Sequence, residues 1–157
     1  MNNNDILRRV RYALNISNPG MAEIFKLSGY DITEAKILTL LKKEEEEGFV
    51  ECSDMEMILF LDGLITQRRG KREGAGAETV VIPEIRITNN MVLKKLRIAL
   101  DFKEEDMLAV FKLARFEVSK PELSAVFRKK GHKNYKPCKD QMLKNFLQGL
   151  TIHLREG

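Results

Sequence analysis

The apolar positions of this chain fall into short stripes with the 3.6-residue period of an α-helix. Ile6, Leu7, Val10, Ala13 and Leu14 stand at i, i+1, i+4, i+7 and i+8, on one helical face. A second stripe, Met21, Ile24, Phe25 and Leu27, follows Asn18-Pro19, a capping residue with proline at the first helical position. A third helix is expected from Thr33. A fourth, from near Asp54, turns Met57, Phe60, Leu61 and Leu64 inward. Strand-like patterning is nearly absent. Only Thr79 to Ile87 reads as β-like, and Pro83 in its middle argues against a central strand. The pattern predicts an all-α fold.

The stripes also repeat. Sliding the chain by 86 residues aligns positions 3–64 with 89–150 without a gap, giving 17 identities in 62 positions. Ile6 to Leu14 falls on Val92 to Leu100, Phe25-Lys26-Leu27 on Phe111-Lys112-Leu113, and Cys52 and Asp54 on Cys138 and Asp140. Phe60-Leu61-Asp62-Gly63-Leu64 falls on Phe146-Leu147-Gln148-Gly149-Leu150. Ungapped self-similarity at this level predicts a tandem duplication of a four-helix unit. The expected organisation is an acidic repeat over 1–69, a linker and extended segment over 70–87, and a basic repeat over 88–157. Glycine and charge between Gly70 and Glu78 suggest a flexible linker, and the Val80-Val81-Ile82 run after it an extended strap.

The duplication also sorts the local signals. Asn4 and Asn90 are placed to act as N-caps of the first helix of each copy, and Asp54 and Asp140 of the fourth. Ser119 with Glu122 has the spacing of a capping box ahead of Leu123, Val126 and Phe127. Gly63 and Gly149 lie inside a helix, where glycine costs about 1 kcal/mol against alanine. Close approach of another helix is the expected reason.

Charge separates the copies. The formal balance of +4 hides net −5 over residues 1–66, +2 over 67–87 and +7 over 88–157. Glu44, Glu45, Glu46 and Glu47 stand opposite Lys130, Gly131, His132 and Lys133 in the alignment. From Arg128 to Lys139 there is no acidic residue. Phe127 and Tyr135 are interleaved with Arg128, Lys129, Lys130, Lys133, Lys136 and Lys139, and His132 belongs to the same candidate site. Cations of this kind meet phosphates, and an aromatic ring stacks on an unpaired base. A solvated face, with Tyr135 in the core like its counterpart Phe49, accounts for the same residues. An acidic protein partner is the third reading. The second and third helices of the basic copy also have a helix-turn-helix outline, with Ser119 to Lys130 as the recognition helix.

The fourth helices differ too. Met55, Ile58 and Leu59 are replaced by Gln141, Lys144 and Asn145. Their i, i+3, i+4 spacing gives the first copy an extra apolar face. It is covered by the Val80-Val81-Ile82 segment, by the other copy or by a second subunit. With the acidic run it supports an alternative function, an interaction adaptor or homodimer.

Catalytic chemistry is sparse. His132 and His153 are the two histidines, and the spacing from His132 to Cys138 matches no familiar metal site. Cys52 and Cys138 occupy equivalent positions beside Asp54 and Asp140, as small buried residues at a helix start would, although a helix N-terminus can also activate a thiol. No phosphate-cradling loop, nucleophile elbow or HExxH occurs. No catalytic residue, metal or cofactor is therefore assigned. Two cysteines, no signal-peptide core and no apolar run near 18 residues predict a cytoplasmic protein without a membrane span.

Several segments carry a family likeness. They are Asn4-Asp5-Ile6-Leu7-Arg8, Gly48-Phe49 through Cys52, and Gly63-Leu64-Ile65 with Arg69-Gly70-Lys71. In the second copy they are Asn89-Asn90, Val92 to Ala99, His132-Lys133-Asn134-Tyr135 through Cys138, Asp140-Gln141 and Phe146-Leu147. In these the chain resembles the YehS-like bacterial proteins of unknown function over essentially its full length. That family often has phenylalanine where Tyr135 stands. The resemblance implies a small cytoplasmic bacterial protein with a duplicated helical domain, and it transfers no activity and no catalytic residue. The expected function is non-enzymatic binding of nucleic acid or another polyanion by the second copy.

Overall fold

A computed structural model of the protein describes residues 1–70 and 86–156. Among them are eight α-helices and no strand: α1 (Asn3–Leu14), α2 (Asn18–Leu27), α3 (Glu34–Leu40), α4 (Asp54–Arg69), α5 (Asn89–Leu100), α6 (Glu104–Leu113), α7 (Lys120–Phe127) and α8 (Asp140–Thr151). A π-helical turn, Ile152–Glu156, extends α8. The fold is all-α and duplicated, α1 to α4 being repeated as α5 to α8. The flexible linker and the Val80-Val81-Ile82 strap expected from the sequence lie outside the described residues.

Every residue of the fourth-helix stripe is buried in both copies, as are Ile6, Leu7, Val10, Ala13, Met21, Ile24 and Phe25. Leu27 is the exception in its stripe, 46% exposed at the end of α2. Caps begin the helices one or two residues earlier than the pattern suggested. Ser17 caps α2, with Asn18 and Pro19 already inside it. Ser53 caps α4 with a capping box to Glu56, so Asp54 is the first helical residue and not the cap. Lys139 takes that place ahead of Asp140. The Ser119–Glu122 capping box is present.

Asn4 and Asn90 are not caps either. Asn2 and Thr88 cap α1 and α5, and the asparagines two residues on are buried within the repeat. Asn4 Nδ2 donates to the carbonyls of Leu40 (2.9 Å) and Val50 (2.8 Å), and its Oδ1 accepts from the Cys52 amide (2.9 Å). Asn90 does the same with Val126, Lys136 and Cys138, at 2.9, 2.9 and 2.8 Å. One planar amide thus satisfies a carbonyl at the end of the third helix and two main-chain groups of the irregular segment after it, groups that would be costly to leave bare. Asn3 and Asn89 add a second tie, donating to the carbonyls of Cys52 and Cys138 and to Asp54 and Asp140.

The glycines on α4 and α8 have the role expected of them. A Cβ on Gly63 would come 1.9 Å from the Ile24 carbonyl oxygen of α2, and one on Gly149 would come 2.0 Å from that of Val110 on α6. Only a hydrogen lets these helices meet.

The repeats pack reciprocally. α4 of the first lies along α5 of the second, and α8 of the second along α1 of the first. Both pairs run parallel, as their polar ties show. In the α4–α5 seam, Asp54 accepts from the Ile87 amide at one end, Lys95 pairs with Asp62 (2.5 Å) midway, and Arg69 pairs with Asp101 (2.5 Å) at the other end. In the α1–α8 seam, Asp140 pairs with the Met1 ammonium (2.8 Å), and Arg155 donates to the Tyr12 carbonyl (2.9 Å) and to Asn15 (3.4 Å).

Candidate functional site

The basic run leaves the helix earlier than a recognition helix would. α7 ends at Phe127, and Arg128 is already extended, with φ −70° and ψ 156°. The reason is local: the Asn90 side chain takes the Val126 carbonyl, and the Lys136 amide donates to that of Ala125 (3.1 Å). With those acceptors occupied, the chain turns into an irregular segment instead of another helical turn. Arg128, Lys129 and Lys130 are therefore on a loop. The helix-turn-helix outline fails at its reading element, whose remaining eight residues bury Leu123, Ala125 and Val126.

That loop is folded rather than loose. His132 and Tyr135 amides close successive turns on the Lys129 and His132 carbonyls (both 2.9 Å), and the Asn134 amide donates to His132 Nδ1 (3.0 Å). Gly131 takes φ +100°, a conformation suited to glycine. Tyr135 is half-buried, between the two readings of the sequence. Arg128, Lys129, Lys130, His132, Lys133, Lys136 and Lys139 are exposed. None of them forms an ion pair among the described residues. On α7, the carboxyl of Glu122 is held below its usual range first by the Ser119 hydroxyl and amide, with Lys136 adding a smaller pull.

The acidic run forms the matching loop of the first repeat. Glu44, Glu45, Glu46 and Glu47 are all exposed, and no ion pair joins them to the basic loop. Instead the loop binds itself, with Glu46 accepting from the Lys43 amide and Lys42 Nζ donating to the Glu47 carbonyl. Met55, Ile58 and Leu59 are half-buried on α4, and Leu59 packs against the core.

The thiols are badly placed for chemistry. Cys52 and Cys138 are buried free cysteines. Burial pushes both up to about 12, Glu56 and Asp54 adding to the shift at Cys52 and Asp140 at Cys138. A helix start lowers a thiol only where the anion can be solvated. Among the described residues no three His, Cys, Asp or Glu side chains gather as metal ligands would. His153 sits edge-on to Phe102.

One surface escaped the reading of the sequence because it joins the first helix to the last. Arg8, Arg9 and Tyr12 of α1 face Leu147, Gln148 and Thr151 of α8 and Ile152 across an open cleft of 580 Å³. The Arg155 guanidinium lies over the Tyr12 ring, 4.3 Å from its centroid. The internal alignment held the one available signal, since Arg9 and Gln148 are the counterparts of the paired Lys95 and Asp62.

Comparison with known proteins agrees with the duplication. The family described as "Protein of unknown function (DUF1456)" matches the chain twice, over residues 3–70 and 89–156. The chain is similar to the uncharacterized protein YehS of Escherichia coli (strain K12), 46% identical over 159 residues that cover 100% of both chains. No solved structure matches it. Among the described residues no helix is long and apolar enough to cross a membrane.

Proposed function

The chain belongs to the DUF1456 family of proteins of unknown function, and from that premise we propose that it is a non-enzymatic helical binding protein whose second repeat takes up nucleic acid or another polyanion. The observation behind this reading is the loop after α7. Six lysines and arginines over 128–139 project from a folded segment with no acid in it. Exposed cations that neutralise phosphates release the counterions condensed on a nucleic-acid backbone, and that release favours binding. Tyr135 and His132 offer rings within the same loop. The buried thiols give no support to a catalytic reading.

The test is a titration of the protein with labelled RNA and DNA at low and moderate salt. Binding is expected at low salt, and reversing Lys129, Lys130 and Lys133 to glutamate should abolish it. No binding at low salt, or a charge-reversed variant that binds as the parent does, would rule the reading out.

A second reading rests on the Glu44 to Glu47 loop. It is exposed and unpaired among the described residues, at the position equivalent to the basic loop. Two copies could join acidic loop to basic loop, with the Met55, Ile58 and Leu59 face contributing. Light scattering at low salt should then show a dimer that salt dissociates. A mass that stays monomeric removes it.

A further inference from the structure

The two seams between the repeats are built alike but charged differently. In the α4–α5 seam both cations meet a carboxylate, Lys95 with Asp62 and Arg69 with Asp101. In the α1–α8 seam the same two positions hold Arg9 and Arg155, and the residues in place of the acids are Gln148 and Asn15. Two carboxylates have become neutral amides while both cations remain. Arg155 is left with a carbonyl and an amide oxygen, and Arg9 is exposed with no ion-pair partner among the described residues. The neighbouring carboxylate on α1, Asp5, is engaged by Arg8 and the Asn2 amide. The acid at the far end, Asp140, is held below its usual range by the Met1 ammonium and Asn89.

The α1–α8 seam is also open to solvent. Between α1 and α8 lies the 580 Å³ cleft, and none of its lining residues is acidic. Tyr12 is 59% exposed at its edge, with Arg155 over its ring. The Thr151 hydroxyl, which donates to the Leu147 carbonyl, keeps its lone pairs available, and Gln148 offers an amide. A guanidinium without a counterion calls for an anion with forked oxygens, and phosphate fits that geometry better than a point charge. A tyrosine ring backed by arginine provides a stacking platform for a flat heterocycle. A volume of this size is in the range of small-ligand sites.

We infer that the α1–α8 seam is a nucleotide-binding site, in which Arg9 receives a phosphate and Tyr12, backed by Arg155, stacks the base. This goes beyond the basic-loop reading and does not depend on it. The nucleotide unit comes either free or within a single strand.

The test measures equilibrium binding of adenosine monophosphate and of a short oligodeoxyadenylate to the full-length protein. Arg9→Gln and Tyr12→Ala, both at exposed positions, should each weaken mononucleotide binding about tenfold. Reversal of Lys129, Lys130 and Lys133 to glutamate should leave it within about twofold. Gln148→Asp copies the ion-paired seam into this one. It should remove binding while leaving the melting temperature unchanged or raised, an effect that loss of structure would not produce. An oligonucleotide that binds more tightly than the mononucleotide, with the same dependence on Arg9 and Tyr12, identifies a single strand as the source. Equal affinity identifies the free nucleotide. Mononucleotide binding that is absent, or indifferent to Arg9, Tyr12 and Gln148, overturns the site. Oligonucleotide binding lost only on reversal of the loop lysines overturns it too while leaving the basic-loop reading intact. The opposite pattern, binding lost only in the seam variants, removes the loop reading and keeps the seam.

Discussion

Asn4 and Asn90 show how much one side chain can organise. Each closes one carbonyl at the end of its third helix and two main-chain groups of the segment beyond, and so fixes where the acidic and the basic loop leave the fold. Asn90→Ala would leave two carbonyls and an amide without partners, at a cost of about 3 kcal/mol. Chemical denaturation should show that loss, whereas alanine at the exposed Lys133 should change stability little. The asparagines stood out in the sequence as a repeated pair, but their role did not. A cap and a buried tie use the same side-chain chemistry, and only burial distinguishes them. Sequence periodicity is equally silent on the titration of Cys52 and Cys138, which follows from burial. Both thiols rise from 9.0 to about 12, and Tyr30, desolvated and bonded to Glu56, rises from 10.0 to about 12. The folded state therefore holds protons that the unfolded chain releases. The stability from these groups is fully present below pH 9 and is lost as pH rises toward 12. Denaturation midpoints should fall across that window, and a thiol reagent at pH 8 should label neither cysteine until the protein unfolds.

At the scale of elements, the helix stripes were legible because burial follows periodicity. Met57, Phe60, Leu61 and Leu64 and their four counterparts are all buried. Gly63 and Gly149 were legible for the same reason, since glycine is an unfavourable choice inside a helix unless another chain comes close. Gly149→Ala should gain about 1 kcal/mol of helix propensity and lose more than that to overlap with the Val110 carbonyl at 2.0 Å. A net destabilisation of about 2 kcal/mol or more is expected by thermal or chemical denaturation. A variant as stable as the parent would mean that α6 and α8 can move apart at little cost. The end of α7 was not legible. Arg128-Lys129-Lys130 suits a helix C-terminus on charge alone, and the competing hydrogen bonds come from Asn90 and Lys136, distant in sequence. The seams were hidden as well, because which helices of two repeats lie together is decided by their assembly.

Across the whole molecule, the duplication has kept one architecture and divided its charge. The first repeat carries the acidic loop and the second the basic one, on the same scaffold. The ties that build the scaffold, through Asn4 and Asn90 and through Gly63 and Gly149, are the same in both. The differences that change charge or polarity lie in the two loops, on the apolar face of α4 and along the α1–α8 seam. The most direct test of the binding account is the salt dependence of affinity for single-stranded RNA. If Lys129, Lys130 and Lys133 neutralise phosphates, replacing all three with glutamine should flatten the slope of log K against log salt by about 2. Melting behaviour should remain that of the parent. An unchanged slope, or no measurable RNA binding at low salt, would contradict the account.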